Sequence, residues 1–341
     1  MTKRIGFLSV VGIFALAIFR AGAQDIHHSQ FYTAPLLYNP STTGLFKGDQ
    51  RLNLNFRKQW FTNNAGNFLT LAGSFEYKIY PKKWTQKGIW NAGLQFAYDQ
   101  AGDSKLGLAQ LGLAVSYAYP VNTHNLVSAG VMAALAHRRF KPDELTWDAQ
   151  WNGNVFDPSL PSGELFEKNT NLFPDLSAGF TYRWQKSNRT RIDLGVAAFH
   201  LNQPNQQFFD QSLSIRLPVR LSFQALPSIQ IAESFDLMAH GLYQRQLSFE
   251  ELLFGAYLRI YLNRQRGKEL DLYLGCSLRN GDAIIPKLGV RFKEWYGGVS
   301  YDITNSPFEQ AVDGRGGPEF SLTHVFAKSR PLIQLKSCPV F

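Results

Sequence analysis

Seven histidines and two cysteines are the residues in this chain most able to do chemistry. His27 and His28 are adjacent. Neighbouring side chains on an extended backbone point apart, so the two make a poor chelating pair and no metal site is expected. Cys276 falls on an apolar strand face and Cys338 in the C-terminal tail, which argues against a bond between them. A hydrolase would need an acid, a histidine and often a serine brought together at a rim or on one face. His137, His200, His240 and His324 lie on scattered segments, and no spacing groups them with a serine and an acid. No catalytic residue and no cofactor is expected, and the chemistry left is that of binding.

The elements that must position such a binding surface are strands. The period is two nearly throughout. In "RLNLNFRKQW", Leu52, Leu54, Phe56 and Trp60 share one face, and Arg51, Asn53, Asn55, Arg57 and Gln59 the other. In "LDLYLGCSLRN", Leu270, Leu272, Leu274, Cys276 and Leu278 oppose Asp271, Tyr273, Ser277 and Arg279. Many segments run about ten residues or more, the length a tilted strand needs to cross a bilayer. Aromatics gather at segment ends, among them Trp60, Tyr80, Trp84, Trp90, Tyr119, Trp184 and Trp295, as in interfacial girdles. Aromatics make up 14% of the chain. These features predict an all-β transmembrane antiparallel barrel of about fourteen strands, the even number usual for such barrels.

The strands are expected near 50–60, 68–80, 88–100, 106–119, 125–139, 174–185, 190–201, 217–226, 234–246, 251–263, 269–280, 283–293, 295–304 and 318–327. The fifth and ninth alternate least cleanly. The first and last must pair, because an open edge would leave backbone groups unpaired in hydrocarbon. Turns after even-numbered strands are short and the longest connections follow odd-numbered ones. Short periplasmic turns, longer extracellular loops and periplasmic termini are therefore expected. Asn280-Gly281 suits a two-residue primed turn. The other strand face carries Arg51, Arg57, Glu76, Lys78, Arg183, Asp193, Arg220, Arg259, Arg279, Lys287 and Arg291. Such a lumen could pair its own charges or line a small-solute pore, and the pattern does not separate the two.

The first residues read as a secretory signal. Lys3 and Arg4 precede an apolar run from Ile5 to Phe19, and Ala21-Gly22-Ala23 offers a cleavage site. Removing Lys3, Arg4 and Arg20 lowers the formal charge from +9 to +6. No basic run marks a nucleic-acid partner. The expected organisation is a cleaved signal at 1–23, a periplasmic or plug segment at 24–48, the barrel at 49–327 and a periplasmic tail at 328–341.

Two segments outside the strands carry aromatics. The loop 140–173 holds Trp147, Trp151, Phe156 and Phe166, and its length suggests function. A partner-binding surface is expected there, against the alternative of a lid over the barrel mouth. The segment "HHSQFYTAPLLYNPSTTG" precedes the first strand. Pro35 and Pro40 keep it out of the sheet and disfavour a long helix. Its apolar residues need burial, at the barrel's lower mouth or on a periplasmic partner.

The mature start "QDIHHSQFYTAPLLYNPSTTG" resembles the N-terminal pattern of the PorP/SprF family, outer-membrane proteins of the type IX secretion and gliding apparatus. Gln24, Asp25, His27, Ser29, Gln30, Phe31, Tyr32, Pro35, Leu36, Asn39, Pro40 and Gly44 match it, with Ile26 where proline is usual. "LNFRKQW" is similar to a second motif, through Asn55, Arg57, Gln59 and Trp60. "FDPSLPSGE" resembles a third, and "GPEFSLTHVF" with "CPVF" the family ending, with Val340 in place of arginine.

The resemblance spans residue 24 to the end. It implies a barrel that anchors or helps export secreted proteins with a type B C-terminal sorting domain, and that meets periplasmic lipoprotein components of the machinery. The alternative is a passive channel or small-molecule transporter in the same outer-membrane lipid. The residues expected to meet cargo are Trp147, Trp151, Phe156, Asp157, Pro158, Pro161, Gly163 and Glu164. Those expected to plug the barrel or meet periplasmic partners are Ser29, Gln30, Phe31, Tyr32, Pro35, Leu36, Asn39 and Pro40.

Overall fold

The computed structural model describes residues 25–60, 68–81, 87–102, 104–142, 145–163, 169–206, 215–306, 309–312 and 314–327. The expected signal peptide, Trp84, Glu164, Phe166 and the tail with Cys338 lie outside them.

Fourteen strands follow one another along the chain: β1 (Gln50–Gln59), β2 (Phe68–Ile79), β3 (Ile89–Ala101), β4 (Leu106–Pro120), β5 (Asn125–Arg139), β6 (Thr170–Gln185), β7 (Arg191–Phe199), β8 (Arg220–Gln230), β9 (Phe235–Gln246), β10 (Phe249–Asn263), β11 (Leu270–Arg279), β12 (Ala283–Phe292), β13 (Trp295–Thr304) and β14 (Arg315–Phe326). Each pairs antiparallel with its neighbours. β1 closes the cylinder on β14, from Gln50↔Phe326 to Arg57↔Glu319. Closure satisfies every strand edge, which a bilayer demands. No helix among the described residues is long and apolar enough to cross a membrane.

The outward face is apolar. Leu54, Phe56, Phe96, Leu113, Val131, Phe223, Leu274 and Phe320 are all exposed on it. Aromatics cluster where strands end. Trp90, Tyr117 and Tyr119 group at one rim, as do Trp295, His324 and Phe326, and Trp60 meets Phe68 at the other.

Three expectations are corrected. β6 starts at Thr170 rather than 174, because Thr170 to Phe173 keep pairing with β5. β8 lies later than 217–226, because the Leu217 N–H is spent on the Pro204 carbonyl and Pro218 has none to offer. Pro227 inside β8 sits in a gap of the ladder, between Ala225↔Gly241 and Ser228↔Met238, where its missing donor breaks no bond. Finally, Asn280-Gly281 does not form a primed turn. Only Gly281 takes a positive φ, of 71°, and a primed type I turn needs two such residues.

Candidate functional site

Residues 25–49 run through the barrel from one rim to the other. Asp25 sits where odd-numbered strands end. Its Oδ2 is 2.6 Å from His200 Nε2, just beyond β7, and 3.2 Å from Arg220 Nε at the start of β8. The chain then descends. Asn55 donates to the Thr33 hydroxyl at 2.6 Å, and Asn39 donates to the Thr181 hydroxyl at 3.2 Å. Lower still, Ser116 donates to the Thr43 carbonyl and Arg183 to that of Leu45. The segment ends at the short-turn rim, where Phe46 lies between Arg51 and Lys78 and the Asp49 N–H meets the Phe326 carbonyl. Both termini are expected on the periplasmic side, and the ends themselves lie outside the described residues. The structure places Asp25 at the rim opposite Phe326, because the segment threads the lumen instead of resting at its lower mouth.

The prolines explain the local shape. Phe31–Thr33, Pro35–Leu37 and Pro40–Thr42 are single 3-10 turns, two of them opened by a proline whose missing N–H would be unpaired there anyway. Asn39 caps the third by accepting from the Ser41 N–H at 2.9 Å.

A charged network grips the upper half. Glu319 accepts from the N–H groups of Ser29 and Gln30, at 2.6 and 2.8 Å. The Ser29 hydroxyl donates to Asp302 at 2.7 Å, and Lys287 donates to the Ser29 carbonyl at 2.6 Å. Arg57 binds Asp302 at 2.5 Å and the His27 carbonyl at 2.8 Å, while Arg279 binds Asp302 at 2.9 Å and Glu251 at 3.1 Å. Buried ions persist only when paired and hydrogen-bonded. Here the segment's backbone supplies part of that pairing, so wall and segment complete each other.

Packing tells the same story. Ile26, Phe31, Leu37 and Tyr38 pack against lumen-facing Ala72, Ala97, Leu242, Leu253 and Ile285. Leu36 packs with Ala114, Met132 and Ala197. These apolar intrusions on the polar face explain why β5 and β9 alternate least cleanly: Met132 and Leu242 face the segment. Wall glycines make room for it. A Cβ on Gly179 would lie 2.1 Å from Asn39 Oδ1, and one on Gly130 would lie 2.6 Å from the Pro40 carbonyl oxygen. Sequence reading missed both signals, although the broken alternation was visible.

All eight residues expected to plug or to bind below are in this segment. Ser29, Gln30, Phe31, Leu36, Asn39 and Pro40 are buried, while Tyr32 and Pro35 are half-buried toward the short-turn side. The fold also makes pairs that spacing could not show. His240 Nε2 lies 2.6 Å from Ser277 Oγ, but both are buried and His240 Nδ1 has no partner to orient it as a base. His200 bridges Asp25 and, at 3.0 Å, Asp175. Burial opposes charging of its ring, but Asp25 and then Asp175 outweigh it and raise the pKa to about 9. Both of its nitrogens can then donate. Burial likewise opposes the Asp25 carboxylate, and Arg220 and His200 overcome it and hold its pKa low. Among the described residues, no group of three or more metal-ligating side chains forms.

The long loop between β5 and β6 is built differently. Gln150 accepts from the Trp147 N–H at 3.0 Å and donates to the Leu160 carbonyl at 3.2 Å. Trp151 and Phe156 form an antiparallel bridge, turned by Asn152 and by Gly153 at φ +99°. Asp157 Oδ1 accepts from the N–H and hydroxyl of Ser159, making a tight turn across Pro158. Gly163 adopts φ +75°. These bonds hold the turns on either side of Trp151, and Trp151 and Phe156 remain 57% and 42% exposed. Pro158, Pro161 and Gly163 are exposed beside them.

Two cavities flank the lumen segment. One of about 320 Å³ at the long-loop rim is lined by Asp25, Trp60, Phe68, Asp99 and Arg138 among others. One of about 160 Å³ lies on the short-turn side, and the two share no lining residue.

The family model described as "Type IX secretion system membrane protein PorP/SprF" matches residues 21–323. No curated protein matches the chain. Among solved structures, a Pseudomonas aeruginosa FadL homologue is similar at 11% identity and TM-score 0.47, covering 84% of this chain and 93% of that one. The Pseudomonas putida toluene transporter TodX is similar at 11% identity and TM-score 0.48, covering 85% and 92%. The CymD monoaromatic hydrocarbon channel is similar at 8% and 0.48, covering 87% and 94%.

Proposed function

Because the chain belongs to the PorP/SprF family of type IX secretion system membrane proteins, we propose that it is a non-enzymatic outer-membrane barrel that anchors, or helps export, a secreted surface protein with a type B C-terminal sorting domain. In this reading residues 1–23 are a cleaved signal, the short turns face the periplasm and the long loops face outward. Cargo meets the loop at Trp147, Trp151, Phe156, Asp157, Pro158, Pro161, Gly163 and Glu164. Periplasmic and lipoprotein components of the secretion or gliding machinery meet the short-turn rim. Lipid surrounds the apolar outer face.

The observation that carries this reading over a passive channel is the filled lumen. An open pore keeps a path clear, whereas this barrel commits wall charges, wall glycines and an apolar patch to holding a segment in that path. The bridged loop beside the mouth supplies what an anchor needs instead, rigid aromatic anchors of the type that dominate protein interfaces. Deleting residues 146–164 tests the assignment. The barrel should still assemble in the outer membrane while cargo is lost from the cell surface. Full cargo retention in cell fractionation would sink it.

A further inference from the structure

The cavity on the short-turn side has a chemistry of its own. The lumen segment closes it above through Phe31 and Tyr32, and it opens among strand ends of the short-turn rim. Leu45, Leu226, Pro227 and Met238 give it aliphatic walls, and Arg51, Arg183 and Arg191 stand around them. Two of those three guanidinium groups are committed. Arg51 binds Glu76 at 2.7 Å, and Arg183 grips Asp193 through two bonds of 2.5 and 2.7 Å. Arg191 reaches the same carboxylate only at 4.0 Å, and its side chain is 33% exposed. One positive charge is therefore left in excess at the mouth of an apolar recess.

Arg191 asks for a carboxylate, and the walls ask for an aliphatic group beside it. Size decides what carries them. Pockets for small molecules hold roughly 300–1,000 Å³. At about 160 Å³ this recess has room for little more than one or two side chains. Such a recess suits an anchor projecting from a larger body outside it.

We propose that this vestibule is a socket for a partner protein at the short-turn face, which inserts an acidic side chain and an adjacent aliphatic one. Arg191 receives the carboxylate, and Leu226, Pro227 and Met238 receive the aliphatic group. The inference deepens the reading above, on which that face is the periplasmic one where machinery components dock.

The test uses the full chain purified in detergent micelles and two defined probes, acetyl-Leu-Glu-Glu-Leu-amide and acetyl-Leu-Gln-Gln-Leu-amide, followed by calorimetry. The acidic peptide should bind at least tenfold more tightly than its amide counterpart. Arg191→Gln should bring its affinity down to the counterpart's level, and Arg191→Lys should restore part of it. Leu226→Trp, which fills the recess without touching the charge, should abolish binding of both. Heat-modifiable migration on gels reports that each variant is a closed barrel. Equal affinity for the two peptides, no binding of either, or an unchanged affinity in Arg191→Gln overturns the proposal. So does octanoate binding more tightly than the acidic peptide, because the site would then take a free amphiphile. The assay reads only the short-turn mouth of the purified barrel, so it can fail while cargo retention through the opposite loop stands, and the reverse.

Discussion

The lumen segment and the loop between β5 and β6 are both aromatic-rich stretches without long secondary structure, yet they spend their aromatics in opposite ways. Phe31 and Tyr38 are 1% and 0% exposed, whereas Trp151 and Phe156 are exposed. Around Trp151 the loop bonds to itself, through Gln150, Asn152 and Asp157. The segment bonds to distant parts of the chain, such as Ser29 to Asp302, 273 positions away. Composition is the same in kind, and what differs is whether the rest of the molecule is shaped to receive it. The wall supplies glycines, unlike charges and apolar patches at the segment's positions. Around Trp151 the described residues leave the ring 57% exposed.

Removing the segment should have the largest effect. The unaltered barrel should be silent in planar bilayers, and deleting residues 25–46 while keeping the signal should give large, steady conductance. The fourteen-strand ladder does not run through the segment, so the deletion barrel should remain heat-modifiable. A deletion barrel as silent as the parent would break the comparison, since the segment would then not be what fills the path.

A single charge comes next. Asp302→Asn leaves Arg57 and Arg279 without their shared carboxylate and weakens the hold on Ser29. Breaking a buried pair from one side costs about 3–5 kcal/mol. Hydrogen exchange at the amides of Ser29 and Gln30 should accelerate accordingly. Asp157→Ala in the loop removes only a turn acceptor for Ser159 and should leave those amides as protected as before.

How far the sequence revealed this depends on the region. A bilayer forces a strict period of two, so strands such as β1 and β11 can be read residue by residue, as can closure of the first strand on the last. β8 could not, because Pro218 and Pro227 blur its ends and only the pairing with β9 shows which of them the ladder tolerates. The course of the lumen segment was invisible for a deeper reason. It has no period, and its partners come from nearly every strand at separations no local pattern reports. Its imprint on the wall was legible in principle, since Met132 and Leu242 break the polar face of β5 and β9 where the segment packs. The loop's exposure followed from its length, but the bond pattern that bridges Trp151 to Phe156 needed the turn at Gly153.

Glycine substitutions sharpen the comparison on a smaller scale. A methyl group on Gly130 meets the backbone of Pro40 and Ser41 at 2.6 and 2.7 Å, whereas one on Gly241 meets nothing within 4 Å. Overpacking of this kind costs about 1–3 kcal/mol. Gly130→Ala should therefore lower the denaturant midpoint and loosen the segment near Pro40, while Gly241→Ala should leave both unchanged. Equal behaviour of the two variants would mean that the wall is not fitted to the segment.

The smallest effect concerns the segment's upper end. His200 titrates near 9 in the fold against an ordinary value of 6.5. A raised value means that its contribution is present in full below about pH 6.5 and is lost as the pH climbs through about 9. Asp25 has the opposite sense. Its lowered value contributes above the ordinary carboxylate range and is lost only in strong acid. At neutral pH both hold, and in alkali only Arg220 continues to hold Asp25. An NMR titration of the His200 ring should give a midpoint near 9, and Asp25→Asn should bring it down markedly. A midpoint near 6.5 in the unaltered protein would show that Asp25 does not rest against His200, and that the upper end of the segment is as free of the wall as the loop beside it.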